Sequence, residues 1–379
     1  MASESREFQV FVKPVGARCN LNCSYCYYLE KQGVGRSKPG GCMSDEVLER
    51  YIRQHIEAST EPDIFFSWHG GEPTLAGIDF FRKAVTIQEA YRPEGCTVRN
   101  GIQTNGTLIT DELGRFFSRE NFYVGLSIDG PESYHNLNRV HADGSGTFEE
   151  AMGGLEILKQ YDVPCEFLCV VSNDNVHAPL EIYRFLRELG AQYITFLPLV
   201  EEDGSGSGRA TPQSVRPMDF GRFLVTIFDE WIEKDIGRLK VQIFEEALRT
   251  AFRQEHTLCI FRVECGAVPV VEMNGDFYMC DHYVDAEHRI GNIADLSLAE
   301  MLDHPRQKAF GEDKFRSLPY YCRECEVLDL CNGECPKNRF VKAPDGEPGL
   351  NYLCEGYKYF FNHCMPFVHE VARLWKGDR

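Results

Sequence analysis

Long apolar runs are missing from this chain. No uncharged hydrophobic stretch approaches the roughly 20 residues a bilayer-spanning helix needs, so no membrane association is expected. Positive charge is also scarce: 58 Asp and Glu outnumber 40 Lys and Arg, for a net charge of −18. Binding phosphates requires a basic face, so nucleic acid is not an expected partner. An acidic surface favours a basic peptide, but only weakly. The first seven residues, Met1-Ala2-Ser3-Glu4-Ser5-Arg6-Glu7, hold no apolar signal region, and a cytoplasmic location is expected.

Cysteine, by contrast, is plentiful. Sixteen cysteines in a 379-residue chain do not read as a secreted disulfide framework. They point to a reducing compartment and to metal. The length allows a sizeable core and two domains.

Apolar runs at 8–15, 64–68, 97–103, 123–128, 165–171 and 193–199 read as strands. Amphipathic stretches at 44–58, 78–91, 111–118, 147–160 and 179–189 read as helices between them. Such alternation predicts parallel strands with crossover helices. In barrel-type α/β folds the chemistry gathers at the carboxyl ends of the strands. Beyond this rhythm the first half has no internal repeat.

Just after the first apolar run stands Cys19-Asn20-Leu21-Asn22-Cys23-Ser24-Tyr25-Cys26-Tyr27. Three thiolates on one short loop suit a four-iron cube and leave one iron open for a small molecule. A structural zinc site is the alternative, but zinc prefers four closed ligands and no fourth lies near. After the second strand comes His69-Gly70-Gly71-Glu72-Pro73, where two glycines let the backbone approach a ligand and offer N–H groups to it. A plain tight turn is the alternative there. Gln103-Thr104-Asn105-Gly106-Thr107 follows the third strand, and Ser127-Ile128-Asp129-Gly130-Pro131 and His135-Asn136-Leu137-Asn138-Arg139 follow the fourth. Phe196-Leu197-Pro198-Leu199-Val200 ends the sixth. Residues 201–217, rich in Gly, Ser and charge, read as a flexible loop. Two helices are predicted at 220–234 and 243–253.

From Cys259 onward the composition changes. Cysteines fall at 259, 265, 280, 322, 325, 331, 335 and 354, enough for two four-ligand sites. Cys42, Cys96, Cys165, Cys169 and Cys364 are left as ordinary thiols. Two structural zinc sites are again the alternative. Residues 268–273 and 276–279, joined at Asn274-Gly275, read as a hairpin that delivers Cys280 and Asp281 toward a cavity. Residues 298–303 read as a short helix and 353–376 as a closing one.

The Cys19–Cys26 loop resembles the signature of the radical S-adenosylmethionine enzymes. The second cysteine region resembles the auxiliary-cluster region called SPASM, found in radical enzymes that modify peptides or proteins. The whole chain resembles the anaerobic sulfatase-maturing enzymes, through the cysteine loop, Gly-Gly-Glu-Pro-Thr-Leu-Ala-Gly at 70–77, Gln-Thr-Asn-Gly-Thr at 103–107, His-Asn-Leu-Asn-Arg at 135–139 and Cys280-Asp281. The resemblance implies an α/β fold: a partial (β/α)6 barrel of radical type in residues 1–235, then a SPASM domain in 236–379. It implies three 4Fe-4S clusters. Cys19, Cys23 and Cys26 hold the one that binds S-adenosylmethionine. Cys259, Cys265, Cys280 and Cys335 hold auxiliary cluster I, and Cys322, Cys325, Cys331 and Cys354 hold auxiliary cluster II. Tyr25, Gly70, Gly71, Glu72, Ser127, Arg139, Leu199 and Val200 are the implied contacts to S-adenosylmethionine. Glu72 belongs to the segment holding its amino group, Ser127 and Arg139 serve its ribose and carboxylate, and the 196–200 wall meets its adenine. His69 and Gln103 are implied substrate contacts, although a packed or capping His69 fits equally well.

The implied reaction converts a Cys or Ser in a sulfatase motif, Cys/Ser-x-Pro/Ala-x-Arg, to formylglycine. A 5′-deoxyadenosyl radical takes a Cβ hydrogen atom, a base takes a proton, and a nearby cluster takes an electron. Asp281 is the implied base, with a pKa expected to be raised by an anionic cluster beside it. The alternative is a capping or salt-bridged aspartate. An electron donor such as flavodoxin or ferredoxin and an anaerobic setting are implied. Two rival readings share many of these residues: a maturase that makes a thioether or carbon–carbon crosslink in a ribosomal peptide, and a non-catalytic electron carrier. A carrier has no need of an open iron or a Gly-Gly-Glu-Pro loop.

Overall fold

Strand–helix alternation organises the chain as expected, and the end of each strand sets out the polar residues of interest. The computed structural model describes residues 8–29, 31 and 41–377; the N-terminal residues 1–7 lie outside them. The chain divides into two compact units that interleave in sequence. Unit 1 comprises 1–127, 138–165 and 266–311, and unit 2 comprises 128–137, 166–265 and 312–379.

In unit 1 the strands are β1 (Phe11–Val12), β2 (Asp63–Trp68), β3 (Thr97–Thr104) and β4 (Phe122–Ser127). They pair in that order, all parallel. Helix Asp45–Ala58 begins at Ser44, whose side chain accepts the Val47 N–H, and buries Leu48, Tyr51, Ile52 and Ile56. Helix Asp111–Arg119 begins the same way at Thr110. Phe66, Trp68, Phe81, Phe117 and Phe122 join these residues in one apolar core.

The chain returns to unit 1 through three further strands. In unit 2, meanwhile, β5 (Cys165–Val171), β6 (Tyr193–Pro198) and β7 (Lys240–Val241) pair in parallel. In unit 1, β8 (Val270–Val271) lies parallel to β1, and β9 (Asp276–Tyr278) and β10 (Arg289–Asn292) extend the sheet antiparallel. The hairpin at Asn274-Gly275 is present, with Val271 opposite Phe277. The parallel seam of β8 on β1 was not anticipated: neither strand shows its partner in its own sequence. The first strand is also shorter than the predicted 8–15. Pro14 and the turn that bonds Gly16 N–H to the Lys13 carbonyl stop it.

In unit 2, helices Pro217–Lys234, Gln242–Ala251 and Cys354–Gly377 pack through Phe228, Phe244 and Phe360, with ring centroids 5.1–5.9 Å apart. The 201–217 loop, expected to be flexible, is closed on itself. Thr211 N–H donates to the Glu201 carbonyl and Asp203 N–H to that of Arg209. Helices Glu132–Asn138 and Pro305–Arg316 were not foreseen. A small hairpin, β11 (Val341–Lys342) with β12 (Pro348–Leu350), also belongs to unit 2.

Candidate active site and cluster ligands

The cysteine loop leaves β1 through the turn at residues 13–18 and is pinned from two sides. Asn22 and Ser24 N–H groups donate to the carbonyls of Val140 and Asn138. Asn105 donates to Asn20 Oδ1 at 3.0 Å and to the Cys19 sulfur at 3.8 Å. Asn20 in turn donates to Thr107 at 2.8 Å. The Gln-Thr-Asn-Gly-Thr segment therefore grips the loop that carries the thiols. Among the described residues, which include all sixteen cysteines, no disulfide forms. Burial pushes the Cys19 thiol up to about 12; the Leu21 N–H opposes this, while Glu72, Cys23 and Cys26 add to it. Such neighbouring thiols ionise together only against a positive group, and bound iron supplies that charge. The donor set fits the cluster the resemblance implies.

The Gly-Gly-Glu-Pro segment corrects one expectation, that the Gly71 N–H is offered to a ligand. A Cβ on Gly71 would stand 2.2 Å from the Arg18 carbonyl oxygen, so glycine is needed for contact with the approach to the cysteine loop. The N–H groups of Gly71 and Glu72 are already used, donating to the carbonyls of Gly16 and Arg18. They are not offered to a ligand. The Glu72 carboxylate is wholly buried. Its Oε1 accepts from the Thr74 N–H at 3.0 Å and from the hydroxyls of Thr74 and Thr104 at 2.6 and 2.8 Å. Its Oε2 accepts the Asn105 N–H at 2.8 Å. The side chain ties two ligand-bearing loops together, because a buried carboxylate must be satisfied internally.

Arg139 is buried, and its guanidinium lies 5.6 Å from the Tyr25 ring centroid. Gln103 donates to the Ser127 hydroxyl at 3.1 Å. Leu199 and Val200 are buried in unit 2. Lys337 donates to the Val200 carbonyl and pairs with Glu201, both at 2.7 Å.

Asp281 sits in a polar cluster of unit 1 that the sequence did not reveal. Lys13, 2% exposed, places its ammonium 2.5 Å from Asp281 Oδ1. The Tyr27 hydroxyl donates to Oδ2. Beside them the Tyr28 hydroxyl donates to the buried Glu272, and Lys13 lies 4.3 Å from the Tyr28 ring centroid. The protein's own groups push the Asp281 pKa the other way from the expected rise. Burial does push the carboxyl up, but the charges of Lys13 and His282 and the bonds from Lys13 and Tyr27 outweigh it and hold it at about 2. The His69 ring stacks on Phe11, with centroids 3.8 Å apart, and its Nε2 lies 3.0 Å from the Ser67 hydroxyl. Burial and the Lys13 charge hold it well below its ordinary pKa, so it is neutral. Lys13 and the Tyr27-Tyr28 pair were legible only as oddities, a lysine in an apolar strand and two tyrosines after the last cysteine.

The later cysteines divide between the units. Cys280 ends the β9 hairpin in unit 1, and the other seven lie in unit 2. Cys322, Cys325, Cys331 and Cys354 line one pocket with Tyr321 and Lys358. Burial, and after it the neighbouring Cys265, push the Cys259 thiol up to about 11.

A parallel α/β sheet bearing three loop cysteines, followed by a second cysteine-rich region, defines a radical S-adenosylmethionine protein with an iron–sulfur domain. The radical SAM superfamily model matches residues 14–186, and the SPASM model, an iron–sulfur cluster-binding domain, matches 259–326. The chain is 44% identical over 377 residues to the serine-type anaerobic sulfatase-maturating enzyme of Bacteroides thetaiotaomicron, spanning 96% of this chain and 91% of that one. It is 34% identical over 369 residues to the cysteine-type enzyme of Clostridium perfringens, spanning 96% and 98%. A solved structure of native anSMEcpe with bound AdoMet and Cp18Cys peptide matches with a TM-score of 0.85 at 33% identity, over 96% of this chain and 99% of that chain. The chain belongs to the anaerobic sulfatase-maturating enzyme family. A peptide-bound SuiB structure, 15% identical with a TM-score of 0.65, shares the fold alone.

Proposed function

We infer that this protein is a radical S-adenosylmethionine oxidoreductase that converts a Cys or Ser of a sulfatase to formylglycine. The whole-length likeness to sulfatase-maturating enzymes carries this reading. The group bound by Cys19, Cys23 and Cys26, with S-adenosylmethionine, supplies the radical that takes the Cβ hydrogen atom. Arg139, whose guanidinium lies 5.6 Å from the Tyr25 ring centroid, would pair with the ligand's carboxylate through its fork. Glu72 holds the two loops around the ligand. Asp281, kept anionic and aimed by Lys13 and Tyr27, accepts the thiol or hydroxyl proton directly or through one water.

The proposed ligand sets are Cys259, Cys265, Cys280 and Cys335 for auxiliary cluster I and Cys322, Cys325, Cys331 and Cys354 for auxiliary cluster II. The domain division at 235/236, a flavodoxin or ferredoxin donor and a cytoplasmic site belong to the same proposal. No described helix is long and apolar enough to cross a membrane. Reconstituted protein should carry about twelve irons, and about eight after Cys19, Cys23 and Cys26 are replaced by Ala. The deciding experiment incubates the reduced enzyme with peptides carrying Cys-x-Pro-x-Arg or Ser-x-Ala-x-Arg. The mass of the aldehyde supports the reading. Cleavage of S-adenosylmethionine with no aldehyde from either peptide overturns it.

A further inference from the structure

Unit 2 contains two cations that the reaction as described does not use. Lys314 is 1% exposed. Its ammonium donates to the carbonyls of Cys259 at 2.9 Å, Ile260 at 2.8 Å and Arg262. Three acceptors around one nitrogen match the three donors of a charged ammonium. Arg339 donates through Nε to the Gly333 carbonyl at 2.8 Å and through Nη1 to that of Lys314 at 2.5 Å. Its Nη2 donates to the carbonyls of Asn332 and Glu334, both at 3.1 Å. Among the described residues, neither cation forms an ion pair with a carboxylate. Glu334, the buried acid nearby, accepts from Asn338 and Asn351, and its charge is felt by both cations without a direct ion pair.

The loop that Arg339 grips is unusual. Asn332, Gly333 and Glu334 have φ of 46°, 71° and 53°, three left-handed residues in a row. A Cβ on Gly333 would lie 2.2 Å from Leu318 and 2.6 Å from Arg339. The loop joins Cys331 to Cys335, and Asn332 also donates to the Phe261 carbonyl at 2.8 Å, next to the Cys259 segment. Lys314 and Arg339 are thus hydrogen-bonded to backbone at or beside three cysteines, 259, 331 and 335. Such strain persists only where surrounding bonds over-determine it.

We propose that Lys314 and Arg339 are positioning residues that hold the auxiliary clusters at a raised reduction potential. The inference rests on the ligand assignment proposed above. Adding an electron makes a tetrathiolate cluster more negative, and a nearby cation with no paired carboxylate favours that change. In the reaction the substrate radical loses one electron, its proton passes to the base, and an auxiliary cluster gains the electron. A carrier of the flavodoxin or ferredoxin class then reoxidises the cluster. The two cations assist the acceptance step without touching substrate.

The test uses the full chain with Cys19, Cys23 and Cys26 replaced by Ala, so that only auxiliary clusters are read. Iron content and an electron paramagnetic resonance redox titration are measured for Lys314→Met, Lys314→Arg and Arg339→Met. The ratio of reduced to oxidised cluster at a fixed potential should fall at least tenfold in a Met variant, or about 59 mV for one electron. Lys314→Arg should stay near the parent. An unshifted titration in a Met variant that keeps its roughly eight irons overturns the proposal. Loss of iron from both Met variants also overturns it, because the cations then hold ligands without setting a potential. Fewer than about eight irons in the parent itself instead overturns the ligand assignment.

Discussion

The ammonium of Lys13 lies 2.5 Å from Oδ1 of Asp281, and both side chains are nearly excluded from water. The pair joins β1, beside the first cysteine loop, to the residue that follows Cys280. Removing one partner of a buried pair strands the other charge. Lys13→Met should therefore destabilise the protein by about 3–5 kcal/mol in urea unfolding.

Asp281→Asn also leaves the buried Lys13 ammonium without its counter-charge, so part of the same loss should appear in urea unfolding, and it is more informative. Asn keeps one oxygen for the Lys13 ammonium and turns its amide NH2 toward the Tyr27 hydroxyl oxygen, but takes no proton at neutral pH. Clusters, S-adenosylmethionine binding and cofactor cleavage should survive. Formylglycine should fall roughly a hundredfold or more, as for a lost general base. With substrate deuterated at Cβ, label should appear in 5′-deoxyadenosine without matching aldehyde. Near-normal aldehyde would remove Asp281 as the base, and lost iron would make its role structural.

Glu72→Ala should weaken S-adenosylmethionine binding through the loops. It strands the N–H groups of Thr74 and Asn105, at about 1–3 kcal/mol for each buried donor. The denaturation midpoint and the affinity should fall together, with Glu72→Gln in between. A variant that loses affinity at full stability would place Glu72 in direct contact with the ligand.

Arg139 and Tyr25 should behave differently. Arg139→Ala removes the charge and should weaken S-adenosylmethionine binding at least about tenfold, the order of a charge-assisted bond. Tyr25→Phe keeps the ring under the guanidinium and should bind nearly as the parent. Equilibrium binding under anaerobic conditions decides, and unchanged affinity in Arg139→Ala would mean that the cavity lies elsewhere.

His55 gives a pH dependence remote from the cysteines. Burial lowers its pKa to about 3, opposed by the ring's bond to the Phe65 backbone. A folded pKa below the unfolded value of 6.5 gives stability that is full above 6.5 and lost as pH falls. Between pH 7 and 5 the loss should be about 2 kcal/mol. His55→Asn retains an acceptor for the Tyr51 hydroxyl, 2.9 Å from Nδ1 in the parent, and should flatten this part of the stability profile. An equal slope in the variant would contradict a neutral buried ring.

What the sequence determined alone was the local pattern. Strands at 97–104, 122–127 and 165–171, the helices Asp111–Arg119 and Phe148–Gln160 between them and the Asn274-Gly275 hairpin follow from side-chain periodicity and turn chemistry, which are local. So does the presence of three cysteines on one loop. What only the tertiary structure decided were pairings between distant segments. The parallel seam of β8 on β1 brings Lys13 to Asp281 across more than 250 residues, and no local pattern encodes that meeting. The same holds for Glu72, whose partners Thr104 and Asn105 lie one strand–helix unit away. The Asp281 pKa went the other way from expectation for this reason. The anionic neighbours were visible in the sequence, but the buried ammonium that outweighs burial was placed there by the fold.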